Sequence, residues 1–120
     1  EAIYHMGKMY MDGALGCERS ARKAVKFFKR SVELGCVEAM VALGLRYQQG
    51  EGALQKAAEA FRYYKLAAEQ GLTEAELNVG LCYAKGDGVP EDVNEAKRWF
   101  VRAAAKGQED AIDVLREWQE

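Results

Sequence analysis

The sequence predicts an all-α fold, an α-solenoid of three helix-turn-helix repeats followed by a C-terminal capping helix. Two observations carry that prediction. A Gly followed three residues later by Tyr and six residues later by Gly recurs as Gly7-Tyr10-Gly13, Gly44-Tyr47-Gly50 and Gly80-Tyr83-Gly86, with copies 37 and then 36 residues apart. A period in that range marks stacked units, each too small to bury its own apolar face. Apolar residues also fall at helical intervals throughout, and no stretch alternates apolar and polar residues in the manner of a strand. The repeats span about 2–38, 39–74 and 75–110, and the capping helix covers 111–120 of this single domain.

The first helix of each repeat covers about 2–12, 39–49 and 75–85. Its recurring residues are Ala2/Ala39/Ala75, Met6/Leu43/Val79, Gly7/Gly44/Gly80 and Tyr10/Tyr47/Tyr83, which share one side of a helix. Glycine in a helix interior costs about 1 kcal/mol relative to alanine. Its return at the same place therefore needs a contact that excludes a Cβ, and the close approach of a neighbouring backbone is the expectation. Glu38, Glu74 and Asp110 each precede the first recurring Ala, where a negative charge favours the positive end of the helix dipole.

The second helix covers about 21–34, 57–70 and 93–106. Its recurring positions are Ala24/Ala60/Ala96, Phe27/Tyr63/Trp99, Phe28/Tyr64/Phe100, Ser31/Ala67/Ala103 and Val32/Ala68/Ala104, a face with aromatic rings at its middle and small residues around them. Gly35, Gly71 and Gly107 stand where a left-handed cap is expected. Asp92 with Glu95 reads as a capping box, and Ser20 occupies the equivalent place in the first repeat. Lys56 does not fit this pattern, so the second of these helices is expected to start weakly or out of register.

Beyond residue 110, Ala111 and Leu115 keep the first-helix pattern, but Arg116 replaces the Gly and Gln119 the Tyr. A charged side chain at that place reads as a polar cap, with Ile112 and Trp118 resting on the third repeat. The opening residues show no such cap, which sets the expectation that further repeats or another domain precede them.

This pattern resembles Sel1-like repeats, whose usual form is A-x3-L-G-x2-Y-x2-G-x-G-V-x2-D followed by K-A-x2-W-Y-x-K-A-A-x2-G. The third repeat matches through Ala75, Val79, Gly80, Tyr83, Gly86, Gly88, Val89, Asp92, Ala96, Trp99, Phe100, Ala103, Ala104 and Gly107. The second keeps Gly50, Gly52, Tyr63, Tyr64, Lys65, Ala67, Ala68, Glu69 and Gly71 but departs at residues 53–56, and the first has a turn one residue longer after Gly13. The 34-residue tetratricopeptide repeat shares the L-G-x2-Y element, but the longer period and the G-x-G turn argue against it. The resemblance implies a right-handed superhelix and a scaffold or adaptor that binds a protein or peptide. A regulatory or substrate-docking module of a larger enzyme, such as a kinase, is the alternative.

Composition and local chemistry exclude other classes. With 17 basic and 19 acidic residues and a net charge of -2, the chain lacks the overall basic character expected of a nucleic-acid binder. No run approaches the roughly 20 apolar residues of a membrane span. Cys17, Cys36 and Cys82 match no zinc or redox spacing and fit free thiols, which points to the cytoplasm. Gly86-x-Gly88 lacks the third Gly and the Lys-Ser/Thr of a phosphate loop. His5 is the single His and has no evident nucleophile or co-ligand, and the carboxylates cluster at helix ends. The secreted, disulfide-tied subtype of Sel1-like repeats, with penicillin-binding activity, would place Cys pairs at Val32/Met40 and Ala68/Glu76; none is Cys, so that hydrolase is disfavoured. No catalytic residue, cofactor or metal site is expected.

The face left for a partner lies on the first helices, opposite their packing side. Its candidates are Tyr4, Lys8, Met11, Val41, Leu45, Gln48, Leu77, Leu81 and Lys85. Two readings of the apolar members stand: packing between successive first helices, or the floor of a groove whose polar rim is Tyr4, Lys8, Arg46, Gln48, Gln49, Asn78 and Lys85.

Overall fold

The computed structural model describes residues 2–13, 20–50, 52 and 56–118. The longer first turn, Cys17, the departing residues 53–55 and Gln119 lie outside these. Among the described residues there are seven helices and no strand: α1 (Ala2–Asp12), α2 (Ala21–Glu33), α3 (Val37–Gln49), α4 (Ala57–Glu69), α5 (Thr73–Lys85), α6 (Val93–Ala105) and α7 (Glu109–Trp118). The extensive helix contacts are all between helices adjacent in sequence, and the molecule is elongated at 49 × 27 × 23 Å, as a stacked array requires.

Each second helix ends in the same hydrogen-bonded turn. Gly35, Gly71 and Gly107 have φ of 85°, 90° and 89°. Their N–H groups donate to Val32, Ala68 and Ala104, and the next residues, Cys36, Leu72 and Gln108, donate to Ser31, Ala67 and Ala103. This paired arrangement satisfies the last helical carbonyls. Because Cys36 and Leu72 leave it with extended backbone and cap the next helix directly, α3 and α5 begin at Val37 and Thr73, two residues before their recurring Ala.

The recurring Tyr acts through its backbone as well as its ring. The carbonyls of Tyr10, Tyr47 and Tyr83 accept from the N–H of Ser20, Lys56 and Asp92 at 2.7, 2.8 and 2.9 Å, tying each first helix to the start of the second. Ser20 and Asp92 also accept from the N–H of Lys23 and Glu95, whereas Lys56 makes no side-chain cap. Even so, α4 starts in the same register as α2 and α6. The Tyr47 carbonyl holds the N-cap residue Lys56 in place, so the expected shift does not occur.

The expectation for the helix-interior glycines needs correction. A Cβ on Gly7, Gly44 or Gly80 would lie 2.6, 2.7 or 2.6 Å from the ring of Phe28, Tyr64 or Phe100 respectively. These glycines seat an aromatic ring of the partner helix, not its backbone. The three rings are at most 1% exposed, and burying each contributes on the order of 1.5–3 kcal/mol. Backbone contact occurs elsewhere: a Cβ on Gly52 would run into the carbonyl of Ala21, and one on Gly88 into the carbonyl of Ala57. Each of these glycines lets a turn sit on the second helix of the preceding repeat.

Repeats are also joined by side chains. Tyr83 meets Phe61 of the preceding repeat edge-on, with centroids 5.3 Å apart. Glu76, 3% exposed, has Lys106 Nζ 3.1 Å from its Oε1, and the same ammonium donates to the Gly71 carbonyl at 2.9 Å. The bond from Lys106 to Gly71 ties the end of the third repeat to the second, and the Glu76–Lys106 pair holds that ammonium in place from within the third repeat. On α7, Ala111 is buried against Leu77, Ala96, Phe100 and Ala103, and the Trp118 ring lies edge-on to Phe100 at 5.3 Å.

Candidate partner-binding face

The first-helix candidates occupy three kinds of place. Val41 and Leu77, 4% and 8% exposed, are buried in clusters shared with neighbouring helices. They support the face from beneath. Leu45 and Leu81 are half-buried: each packs its inner side on one of those clusters and keeps an accessible outer side. Tyr4, Met11 and Gln48 are half-buried as well, while Lys8 and Lys85 are exposed.

The same row changes character on α7. Reading Val41/Leu45 and Leu77/Leu81 onto α7 gives Asp113 and Glu117, both exposed. Positions that are apolar on α3 and α5 are carboxylates there.

Two groups form along the face. On α1, Lys8 Nζ sits 5.7 Å from the Tyr4 centroid, within cation–π range, and the Tyr4 ring lies 5.7 Å from His5 and 5.9 Å from Phe28. Partial burial raises the pKa of the Tyr4 hydroxyl, reinforced by Cys36, Glu38 and Glu74. Met11 is packed on the Ala24–Phe28–Leu43 cluster, which joins the first repeat to α3 of the second. Between α3 and α5, Gln48, Leu81 and Lys85 come together with Tyr64, Asn78, Cys82 and Asp87 around a cavity of about 180 Å³.

That cavity has a hydrogen-bonded wall. The Tyr64 hydroxyl donates to Gln48 Oε1 at 2.7 Å, and Gln48 Nε2 donates to Asp87 Oδ2 at 3.1 Å. Burial, with Cys82 next in effect, drives the Tyr64 hydroxyl far above its ordinary range, so it remains a neutral donor. Burial likewise pushes the Cys82 thiol up to about 11, with Asp87 adding to the shift, which makes it a poor nucleophile at neutral pH. Asn78 also lines the cavity, and no described residue hydrogen-bonds its amide. The wall can therefore supply amide donors and acceptors, one ammonium group and apolar contact from Leu81. Sequence reasoning placed Gln48, Asn78 and Lys85 on a polar rim, but it missed Tyr64, Cys82 and Asp87. The recurring aromatic position of Tyr64 pointed only to core packing.

No described helix is long and apolar enough to cross a membrane, and no group of three His, Cys, Asp or Glu side chains among the described residues could hold a metal ion.

The comparisons agree with this architecture. The crystal structure of c5321, a protective antigen present in uropathogenic Escherichia coli strains displaying an SLR fold, superposes with a TM-score of 0.93 at 33% identity, covering 95% of this chain and 24% of that one. A Sel1 repeat protein from Oxalobacter formigenes gives 0.86 at 34% identity, covering 92% of this chain and 45% of that one. The chain thus spans about a quarter and under half of their respective lengths. Helicobacter pylori cysteine rich protein B, at 21% identity and a TM-score of 0.77, shares the fold, with coverage of 94% of this chain and 91% of that one. No curated protein sequence matches. The Sel1 repeat family model matches residues 1–36, 37–72 and 73–108. With three matches in phase over nearly its whole length, the chain belongs to the Sel1 repeat family.

Proposed function

We propose that this chain is a non-enzymatic interaction module that receives a partner peptide or domain on its first-helix face, centred between α3 and α5. Sel1-repeat proteins generally act as protein-interaction scaffolds, which supports the class of activity. The observation that carries the location is the cavity shared by Gln48, Asn78, Leu81 and Lys85. An amide such as Asn78 can pair with both the N–H and the C=O of an extended backbone, and each such bond contributes about 1 kcal/mol net. Leu45 and Leu81 offer accessible apolar surface on either side, and the Tyr64–Gln48–Asp87 chain fixes the Gln48 amide before a partner arrives. Tyr4, Lys8 and Met11 extend the same face along α1.

A photo-crosslinking residue at Leu81 tests the location, with an identical probe at Arg98 on α6 as the reference. The expected result is a discrete partner captured from Leu81, lost on Asn78→Ala or Lys85→Glu while the helical circular dichroism stays unchanged. Equal capture from both probes, or capture indifferent to both substitutions, would remove the first-helix face from consideration.

A further inference from the structure

We propose that the outer face of α2 is a second docking surface, one that takes an acidic segment of a partner protein. Arg22, Lys23, Lys26, Lys29 and Arg30 are all exposed, and Glu33 is the only acidic residue of that helix. None of the five pairs with a described carboxylate. Lys23 and Lys29 instead place their ammonium groups 5.4 and 5.9 Å from the centroids of Tyr10 and Tyr47. Those rings stack on Phe27 and Tyr63, so the two cations rest on a fixed aromatic base.

The repeats supply an internal control. In α4 and α6 the matching positions hold Glu59–Arg62 and Glu95–Arg98, ion pairs of 3.0 and 2.9 Å. In α2 the acid of that pair is replaced by Lys23, which leaves Lys26 opposite another cation. Like charges at this spacing cost folding stability. The ring contacts of Lys23 and Lys29 offset part of that cost, but Lys26 and Arg30 have no side-chain partner among the described residues, and an external anion would supply one.

The size of the patch selects the anion. Arg22 and Arg30 stand eight positions apart, about 12 Å along the helix. The corresponding face of α4 is balanced by Glu59 and Glu69. A bilayer or a nucleic-acid duplex large enough to follow the second helices beyond α2 would have to cross the charge-balanced α4 before reaching Lys97, Arg98 and Arg102 of α6. A short stretch of carboxylates would meet α2 alone, and its binding would weaken steeply with salt. A scaffold must hold two things at once, and this face is chemically distinct from the first-helix cavity. The inference does not depend on that cavity being a binding site.

The test uses a fluorescent octaglutamate peptide and anisotropy at low and high ionic strength. The deciding variant is Lys23→Glu. It recreates the acid–base pair of the other repeats and completes a capping box with Ser20, so the helix is expected to be retained. Lys97→Glu on α6 makes the same change in net charge elsewhere. We expect Lys23→Glu to weaken octaglutamate binding about tenfold, Lys97→Glu to change it less than about twofold, and added salt to abolish the difference. If Lys23→Glu disturbs the fold, Lys26→Gln with Arg30→Gln replaces it and must give the same weakening. Equal losses from Lys23→Glu and Lys97→Glu would reduce the effect to bulk charge and overturn the proposal. So would tighter binding, with the same residue dependence, to phosphatidylserine vesicles or duplex DNA than to octaglutamate.

Discussion

Gly80 and Gly88 are eight residues apart in one repeat and omit a Cβ for different reasons. Gly80, in the middle of α5, makes room for the Phe100 ring of its own repeat. Gly88, in the following turn, makes room for the Ala57 carbonyl at the start of α4, in the repeat before. The first contact sets how closely two helices pair, and the second sets how closely two repeats stack. The neighbours also differ mechanically. A ring can be trimmed by mutation, whereas a backbone carbonyl cannot, and Gly88 carries a φ of 78° besides.

Gly88→Ala is therefore expected to be the most damaging of the glycine substitutions. It adds left-handed strain to a collision with backbone, for a loss of about 3 kcal/mol or more. Chemical denaturation should show it, with a lower midpoint. If repeats two and three separate as units, the slope should fall too, since less surface is exposed in each transition. A loss no larger than that of Gly80→Ala would mean that turn and ring contacts are equivalent after all.

Gly80→Ala comes next. The added methyl faces the ring at 2.6 Å, but alanine recovers helix propensity, so the net loss is expected to be about 1.5 kcal/mol. A double-mutant cycle with Phe100→Leu sharpens the point. In the leucine background the Cε1 and Cζ contacts are gone and only rotatable δ-methyl groups remain, so the same Gly80→Ala change should cost clearly less than it does beside the ring. Simple additivity of the two substitutions would show that the ring is not what excludes the Cβ.

The period, the helix pairs and the left-handed glycines were legible because each is fixed by local spacing and backbone geometry. The contact partner of Gly44 or Gly80 was not, since recurrence says that a neighbour is close without saying which one. Phe28, Tyr64 and Phe100 recur in the same phase and were the available signal. The apolar row Val41, Leu45, Leu77 and Leu81 was ambiguous for the same reason. Within it Val41 and Leu77 are buried while Leu45 and Leu81 are half-buried, a split that the neighbouring helices decide and the spacing does not. The α2 patch was hidden by averaging: a net charge of -2 describes the whole chain, and the informative comparison was Lys23 against Glu59 and Glu95. Of the candidate site, the rim residues were accessible to sequence reasoning. The Tyr64–Gln48–Asp87 chain was not, because it joins residues from three elements that only the stacked fold brings together.

Gly107 supplies the baseline for the glycine comparison. Its φ is 89°, close to that of Gly88, yet a Cβ there would meet nothing within 4 Å. Gly107→Ala should then cost only the left-handed backbone strain, about 1 kcal/mol. Gly107→Asn should cost less, because asparagine tolerates that conformation better. Subtracting the Gly107→Ala loss from that of Gly88→Ala isolates the collision with the Ala57 carbonyl, which is the part belonging to repeat stacking. Equal losses at the two positions, measured by denaturation under the same conditions, would leave strain alone as the reason for glycine at 88. Repeat spacing would then have to be set by side-chain contacts such as Phe61–Tyr83 and Lys106–Gly71.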